Sequence, residues 1–500
     1  MPSTAARARS RDGSVPGLAF LALVLALTAA TRAPAAVPSP TLEGPITSPG
    51  SAFIEATAFD LAEVGYTQQE YFISGTATAY TSASPLTSDG KWTATPASTA
   101  PYKTRILVYK PTNPQKFNGT VFVEWLNVSG GLDAAPDWVQ AHTALIRAGV
   151  AWVGVSAQIV GVEGGPALVG VVSFPLKKVN PARYGSLSHP GDSFSYDMFS
   201  QAGQAIRQPS GTNPLAGLRV KRVIAAGESQ SAFRMVTYID AVHPLAGVYQ
   251  GFLVHSRGAG GPLGAALSES PQPVVSVPLP TFIRADIDVP VLTVETETDL
   301  TLLQYFLARQ DDAPNIRTWE MAGTSHADTY TIGGASDLGR SPDIVAPVIT
   351  NAPVPGIITC SQPINSGPQH FILSAAFAAI DRWVTRGRAP KPAPRLDVSA
   401  GPPITIAEDA FGNAIGGIRT PQVDVPIAAF GGIQPGSVLC ALFGTTMPLD
   451  ASQLATLYPT HRAFVFSYRK AVNRALRGGF ILKPDAKLMR QWAASADIGG

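Results

Sequence analysis

The chain has 500 residues, 45% of them apolar and only 14% charged. That is ample material for a core and well below the ~25% charge of an ordinary soluble protein. Its 47 glycines and 44 prolines follow no period, which excludes collagen and argues for a turn-rich globular protein. The first 35 residues carry four arginines against one aspartate, so setting them aside takes the net charge from +2 to −1. No basic tract remains to condense on a phosphate backbone, which argues against a nucleic-acid partner.

Residues 1–35 read as a secretory signal. Arg7, Arg9 and Arg11 form a positive start, and residues 18–30 (LAFLALVLALTAA) are an apolar run too short to span a bilayer comfortably. Ala33, Pro34 and Ala35 supply small residues for cleavage. The expected location is secreted or periplasmic. No cysteine near the cleavage site supports a lipid anchor, and no later apolar stretch has membrane length, so no stable membrane insertion is expected.

Residues 36–50 form a Pro/Ser-rich tether. Between 52 and 110, β-rich pieces such as 72–75 (FISG) and 105–109 (RILVY) predict antiparallel strands at the start of a sheet. From 120 the pattern changes. Apolar runs at 120–125, 149–155, 220–226, 248–254, 289–294 and 316–319 predict strands. Helical spacing at 138–148, 194–206, 231–241, 300–309 and 371–383 alternates with them. Continuous apolar strands separated by helices predict an α/β fold, a mostly parallel sheet covered on both faces.

This catalytic domain is placed at 51–390. Two Gly/Pro-rich insertions, 158–193 and 257–288, follow strands, where open α/β sheets build their sites. They are candidates for a cap over a pocket, or solvent-exposed decoration. Residues 391–500, with one helix at 464–476, are expected to pack on the main domain as an elaboration.

The sharpest chemical signal is VIAAGESQSA at 223–232. A buried strand runs into Gly227-x-Ser229-x-Ser231 and straight into a helix, the setting a nucleophile elbow needs. The positions two before and two after the serine must be small. Gly227 meets that demand, and Ser231 stands where glycine is usual. The helix dipole behind Ser229 favours a developing oxyanion.

An acid and a histidine follow in the order this architecture uses. The strand at 289–294 runs into Glu295-Thr296-Glu297-Thr298-Asp299. Asp299, a few residues into the loop, is the favoured acid, with Glu297 and then Glu295 as rivals; Asp299 could instead belong to the cap of the next helix. His326 follows the last core strand on a Gly-containing loop, and the other six histidines read as structural. The oxyanion hole needs two backbone N–H donors. Gln230, after the nucleophile, supplies one, and Asn127 or Val128, in the loop after 120–125, the other.

The only cysteines are Cys360 and Cys440. In an oxidising compartment they form either a disulfide or two separate buried thiols. No Cys/His cluster has metal spacing, and no cofactor is expected.

The stretches VFVEWLNVSGG, GVAWVGVSAQ, AAGESQSA, GFLVHSRG, PVLTVETETDL and WEMAGTSHAD resemble the α/β-hydrolase superfamily, and more closely a secreted bacterial "alpha/beta hydrolase domain" family. DAFGNAIGGIRTPQVDVP and LCALFGTT are similar too, so the resemblance covers roughly 50–490. It implies the α/β-hydrolase fold and a Ser229–His326–Asp299 triad. The expected activity is hydrolysis of a carboxylic ester, in a small molecule, a lactone or a polyester. The alternative is a non-catalytic binding protein on the same fold. Oligomeric state stays open.

Overall fold

The computed structural model describes residues 37–169 and 173–499; the signal segment lies outside them. Nine strands form one sheet: β1 (Thr41–Glu43), β2 (Tyr66–Thr81), β3 (Thr95–Pro111), β4 (Thr120–Trp125), β5 (Ala151–Val155), β6 (Arg222–Glu228), β7 (Phe252–His255), β8 (Val291–Glu295) and β9 (Ile316–Glu320). Their order is β1-β2-β3-β5-β4-β6-β7-β8-β9. β1, β2 and β3 pair antiparallel, and β3 pairs antiparallel with β5. From β5 to β9 every pairing is parallel, so six carboxyl ends point to one edge.

Burial on both faces explains the unbroken apolar strands. In β4, Val121, Val123 and Trp125 enter one core, together with Met198, Phe199 and Ala202 of the Ser195–Arg207 helix. Phe122, between them, enters the opposite core with Trp138 and Leu145 of the Pro136–Ala148 helix and Ile372 of the Gln369–Arg386 helix. β6 alternates likewise, Val223 and Ala225 against Ile224 and Ala226. The strand period of two thus feeds two helical layers.

Several elements differ from the sequence reading. The helix expected at 300–309 is instead a short helix, Glu297–Thr301, and a separate 3-10 turn, Tyr305–Ala308. Gln304 between them has φ 58°, a left-handed conformation that stops an α-helix. The helix expected at 231–241 is α-helical over Gln230–Thr237 and then widens into a π turn, Tyr238–Val242.

Beyond residue 390 there is more regular structure than one helix. A two-stranded ribbon pairs Ala428–Gly431 with Thr445–Pro448, and the short Val438–Phe443 helix lies between its strands. The His461–Gly478 helix is followed by a second, Lys483–Ser495, and the two bury Phe464, Tyr468, Met489 and Trp492 against Phe371. Among the described residues no helix is long and apolar enough to cross a membrane.

Candidate active site

β6 ends at Glu228 and the Gln230–Thr237 helix begins two residues later, so Ser229 alone makes the turn. Its φ of 56° and ψ of −122° are strained for a residue with a side chain. The turn is held because the Ser229 N–H donates to the His255 carbonyl at the end of β7, 2.9 Å away. A Cβ on Gly227 would come within 3.1 Å of the Ser231 carbonyl and 3.2 Å of the Ser231 Cβ. Glycine at 227 is what lets serine stand at 231, where it is fully buried.

Ser229 Oγ lies 2.7 Å from His326 Nε2, and His326 Nδ1 lies 2.7 Å from Asp299 Oδ1. Asp299 uses its other oxygen locally: Oδ2 accepts from the Thr296 N–H at 2.6 Å and the Thr296 hydroxyl at 2.7 Å. Thr296 caps the Glu297–Thr301 helix and Asp299 closes the capping box. One carboxylate therefore caps the helix and also bonds the imidazole. Thr298 adds a brace: its hydroxyl accepts the His326 N–H at 2.9 Å and donates to the Gly432 carbonyl.

Burial works to lower the pKa of His326, but the charge and hydrogen bond of Asp299, with Glu228 behind them, prevail and raise it. The carboxylate at Nδ1 fixes the proton there and turns the Nε2 lone pair toward Ser229.

The rival acids sit elsewhere. Glu297 accepts the N–H groups of Gly323 at 2.6 Å and Gly432 at 3.1 Å, so it ties the histidine loop to the C-terminal segment. Burial, opposed by those two bonds, pushes its pKa up to about 8. Glu295 is fully buried, and burial followed by the charge of Asp299 raises its pKa well above the usual carboxylate range.

Gln230 is the first helical residue, and its N–H has no intrahelical acceptor. Asn127 is a correction. Its backbone N–H is spent on the Ala134 carbonyl at 2.9 Å, closing a bridge across the loop. Its side chain is committed too, donating to Glu228 Oε2 at 2.8 Å and accepting the Ser129 N–H at 2.7 Å. Of the two residues expected to supply the second N–H, only Val128 donates no backbone bond among the described residues.

Sequence reasoning passed over Glu228. Its Oε1 lies 3.5 Å from His326 Nε2, and burial lifts its pKa to about 7 against the pull of His326 and His255. Adjacency to the serine was the available signal. It also passed over the Val438–Phe443 helix. The serine, histidine and Glu228 open onto a cavity of about 450 Å³. Leu168 of the first insertion, Leu263 of the second, and Val438, Leu439 and Leu442 of that helix line it. Cys440 on the helix is joined to Cys360 by a disulfide, with Cα atoms 5.6 Å apart.

A family model described as alpha/beta hydrolase domain matches residues 37–491. The chain belongs to the alpha/beta hydrolase domain family. Among solved structures, this hydrolase-family chain is similar to an α/β serine hydrolase without lid from Xanthomonas campestris, at 13% identity, covering 51% of this chain and 85% of that one, with TM-score 0.27. It is also similar to a glucuronoyl esterase from Solibacter usitatus (11% identity, 58% and 83% covered, TM-score 0.29). A thermostable esterase from Pseudomonas putida is a third (12%, 53% and 75%, 0.28). No curated protein matches.

Proposed function

We propose that the protein is a serine hydrolase that cleaves a carboxylic ester through an acyl-enzyme. The observation that carries this reading is the unbroken hydrogen-bonded chain from Asp299 through His326 to a strained Ser229 that faces a cavity. Ser229 Oγ attacks the ester carbonyl while His326 Nε2 takes its proton, and the carbonyl π electrons move onto the oxygen. The N–H groups of Gln230 and Val128 receive that oxyanion. Collapse breaks the bond to the alkoxide, which takes the proton from His326, and leaves an ester on Ser229. Water, deprotonated by the same nitrogen, then releases the acid and restores the serine. Asp299 holds the ring and stabilises its positive charge without being protonated itself.

We also propose that the mature protein works outside the cytoplasm. The signal-like leader and a disulfide of the kind that persists in oxidising compartments support this. The test of the chemistry is turnover of 4-nitrophenyl butyrate by the mature protein. The expected result is hydrolysis that disappears in Ser229→Ala and His326→Ala. Hydrolysis undiminished in either variant contradicts the reading.

A further inference from the structure

Resting on the serine-hydrolase reading, we propose that the cavity selects uncharged esters with an apolar acyl or alcohol portion and rejects esters that carry a carboxylate, with Glu228 enforcing the rejection. The walls come from several separate stretches of chain. Leu168, Leu263, Leu302 and Leu442 belong to the first insertion, the second insertion, the end of the Glu297–Thr301 helix and the Val438–Phe443 helix, and all present aliphatic side chains. Among the described lining residues there is no lysine or arginine, and the ionisable side chains are His326, Glu228 and Glu55.

His326 is already bonded at both nitrogens, to Asp299 and Ser229, so it has no donor to spare for a substrate anion. Glu228 is 7% exposed, held in place by Asn127, and sits beside the nucleophile. Its Oε1 lies 3.5 Å from His326 Nε2, its Oε2 accepts from the Asn127 side chain at 2.8 Å, and the charges that bear on it most are those of His326, His255, Asp137 and Asp299. A substrate carboxylate entering the cavity loses its water, meets no lysine or arginine among the described lining residues and, above about pH 7, faces the ionised Glu228; each of these disfavours it. An aliphatic chain loses nothing and gains contact along the walls.

The test compares three 4-nitrophenyl esters of similar length: the hexanoate, the mono-adipate, and the 6-(trimethylammonio)hexanoate, each corrected for enzyme-free hydrolysis at pH 8. The expected order of kcat/KM is hexanoate, then the ammonium ester, then the adipate, with at least tenfold between first and last. Glu228→Gln also disturbs His326, which slows every ester, but the ratio between esters cancels that effect. The hexanoate-to-adipate ratio is expected to fall several-fold in Glu228→Gln. It is also expected to fall in Val438→Lys, which adds a cation at a position 69% exposed, where folding is not at stake.

Equal kcat/KM for hexanoate and adipate overturns the proposal. A ratio unmoved in Glu228→Gln, or an ammonium ester rejected as strongly as the adipate, overturns the assignment to Glu228, and a ratio unmoved in Val438→Lys overturns the claim that the cavity rejects anions for want of a cation. If no ester turns over and Ser229 takes no covalent label, the hydrolase reading itself fails and takes this inference with it.

Discussion

Two buried histidine–carboxylate pairs lie at the carboxyl edge of the same sheet. His326 bonds Asp299 at 2.7 Å, and His255, at the end of β7, bonds Asp137 at 2.9 Å. Both imidazoles are desolvated, and in both the neighbouring carboxylates outweigh burial and raise the pKa. Glu228 acts electrostatically on each. The difference is at the other nitrogen. His326 Nε2 meets a serine hydroxyl at the wall of a cavity, whereas His255 Nε2 meets the side-chain amide of Gln369 at 3.1 Å, inside the protein. An acid-bonded histidine is therefore no mark of catalysis by itself; a serine hydroxyl at Nε2 and an open cavity beside it are what separate the two pairs.

The contrast breaks most visibly at the serine. Ser229→Ala is expected to lower kcat by about 10⁴-fold or more, measured on 4-nitrophenyl esters. Next come the two acids. Asp299→Asn should cost about 10⁴-fold in kcat by releasing the wrong tautomer. Asp137→Asn should leave kcat within about tenfold, but lower unfolding free energy by about 3 kcal/mol in chemical denaturation, because it breaks a buried pair. Similar catalytic losses in both variants would erase the distinction. Glu297→Gln belongs on the structural side: thermal stability falls while the pH profile keeps its shape. If Glu297→Gln alone abolishes turnover, Asp299 is not the acid.

A smaller effect concerns the cavity wall. The disulfide closes a loop of 80 residues, and restricting the unfolded chain by that much is worth on the order of 4 kcal/mol. Cys360→Ser/Cys440→Ser should therefore melt earlier and, with the Val438–Phe443 helix less well held, raise KM several-fold while changing kcat little. The smallest effect is in pH. His326 must be neutral to accept a proton, and Asp299 favours its charged form. The acid limb of kcat/KM should therefore fall off around a midpoint above 6.5, and residual activity in Asp299→Asn should show that midpoint moved downward.

Much of this edge of the sheet was legible in the chain because it is locally encoded. Apolar strands 120–125 and 220–226, small Gly227 and the order serine, acid, histidine need no distant contact to be recognised. The two places offered for Asp299, beside the histidine or in the helix cap, do not exclude each other, since its two oxygens take separate partners. What escaped depends on pairing across space. Nothing in the sequence around Asn127 shows that its N–H will be claimed by Ala134, because that bond exists only once the loop has folded back. The break at Gln304 is a left-handed residue with no glycine to announce it. The wall at Val438–Phe443 comes more than a hundred residues after His326, and its apolar face acquires meaning only when set over the serine.

The measurement that bears most directly on the central claim is covalent labelling with a serine-directed fluorophosphonate, read by intact mass and peptide mapping of the mature protein. One adduct per chain, on the peptide holding Ser229, absent in Ser229→Ala and strongly slowed in His326→Ala but not in His255→Gln, is the predicted result. No adduct on folded protein, or one that persists without Ser229, would contradict it.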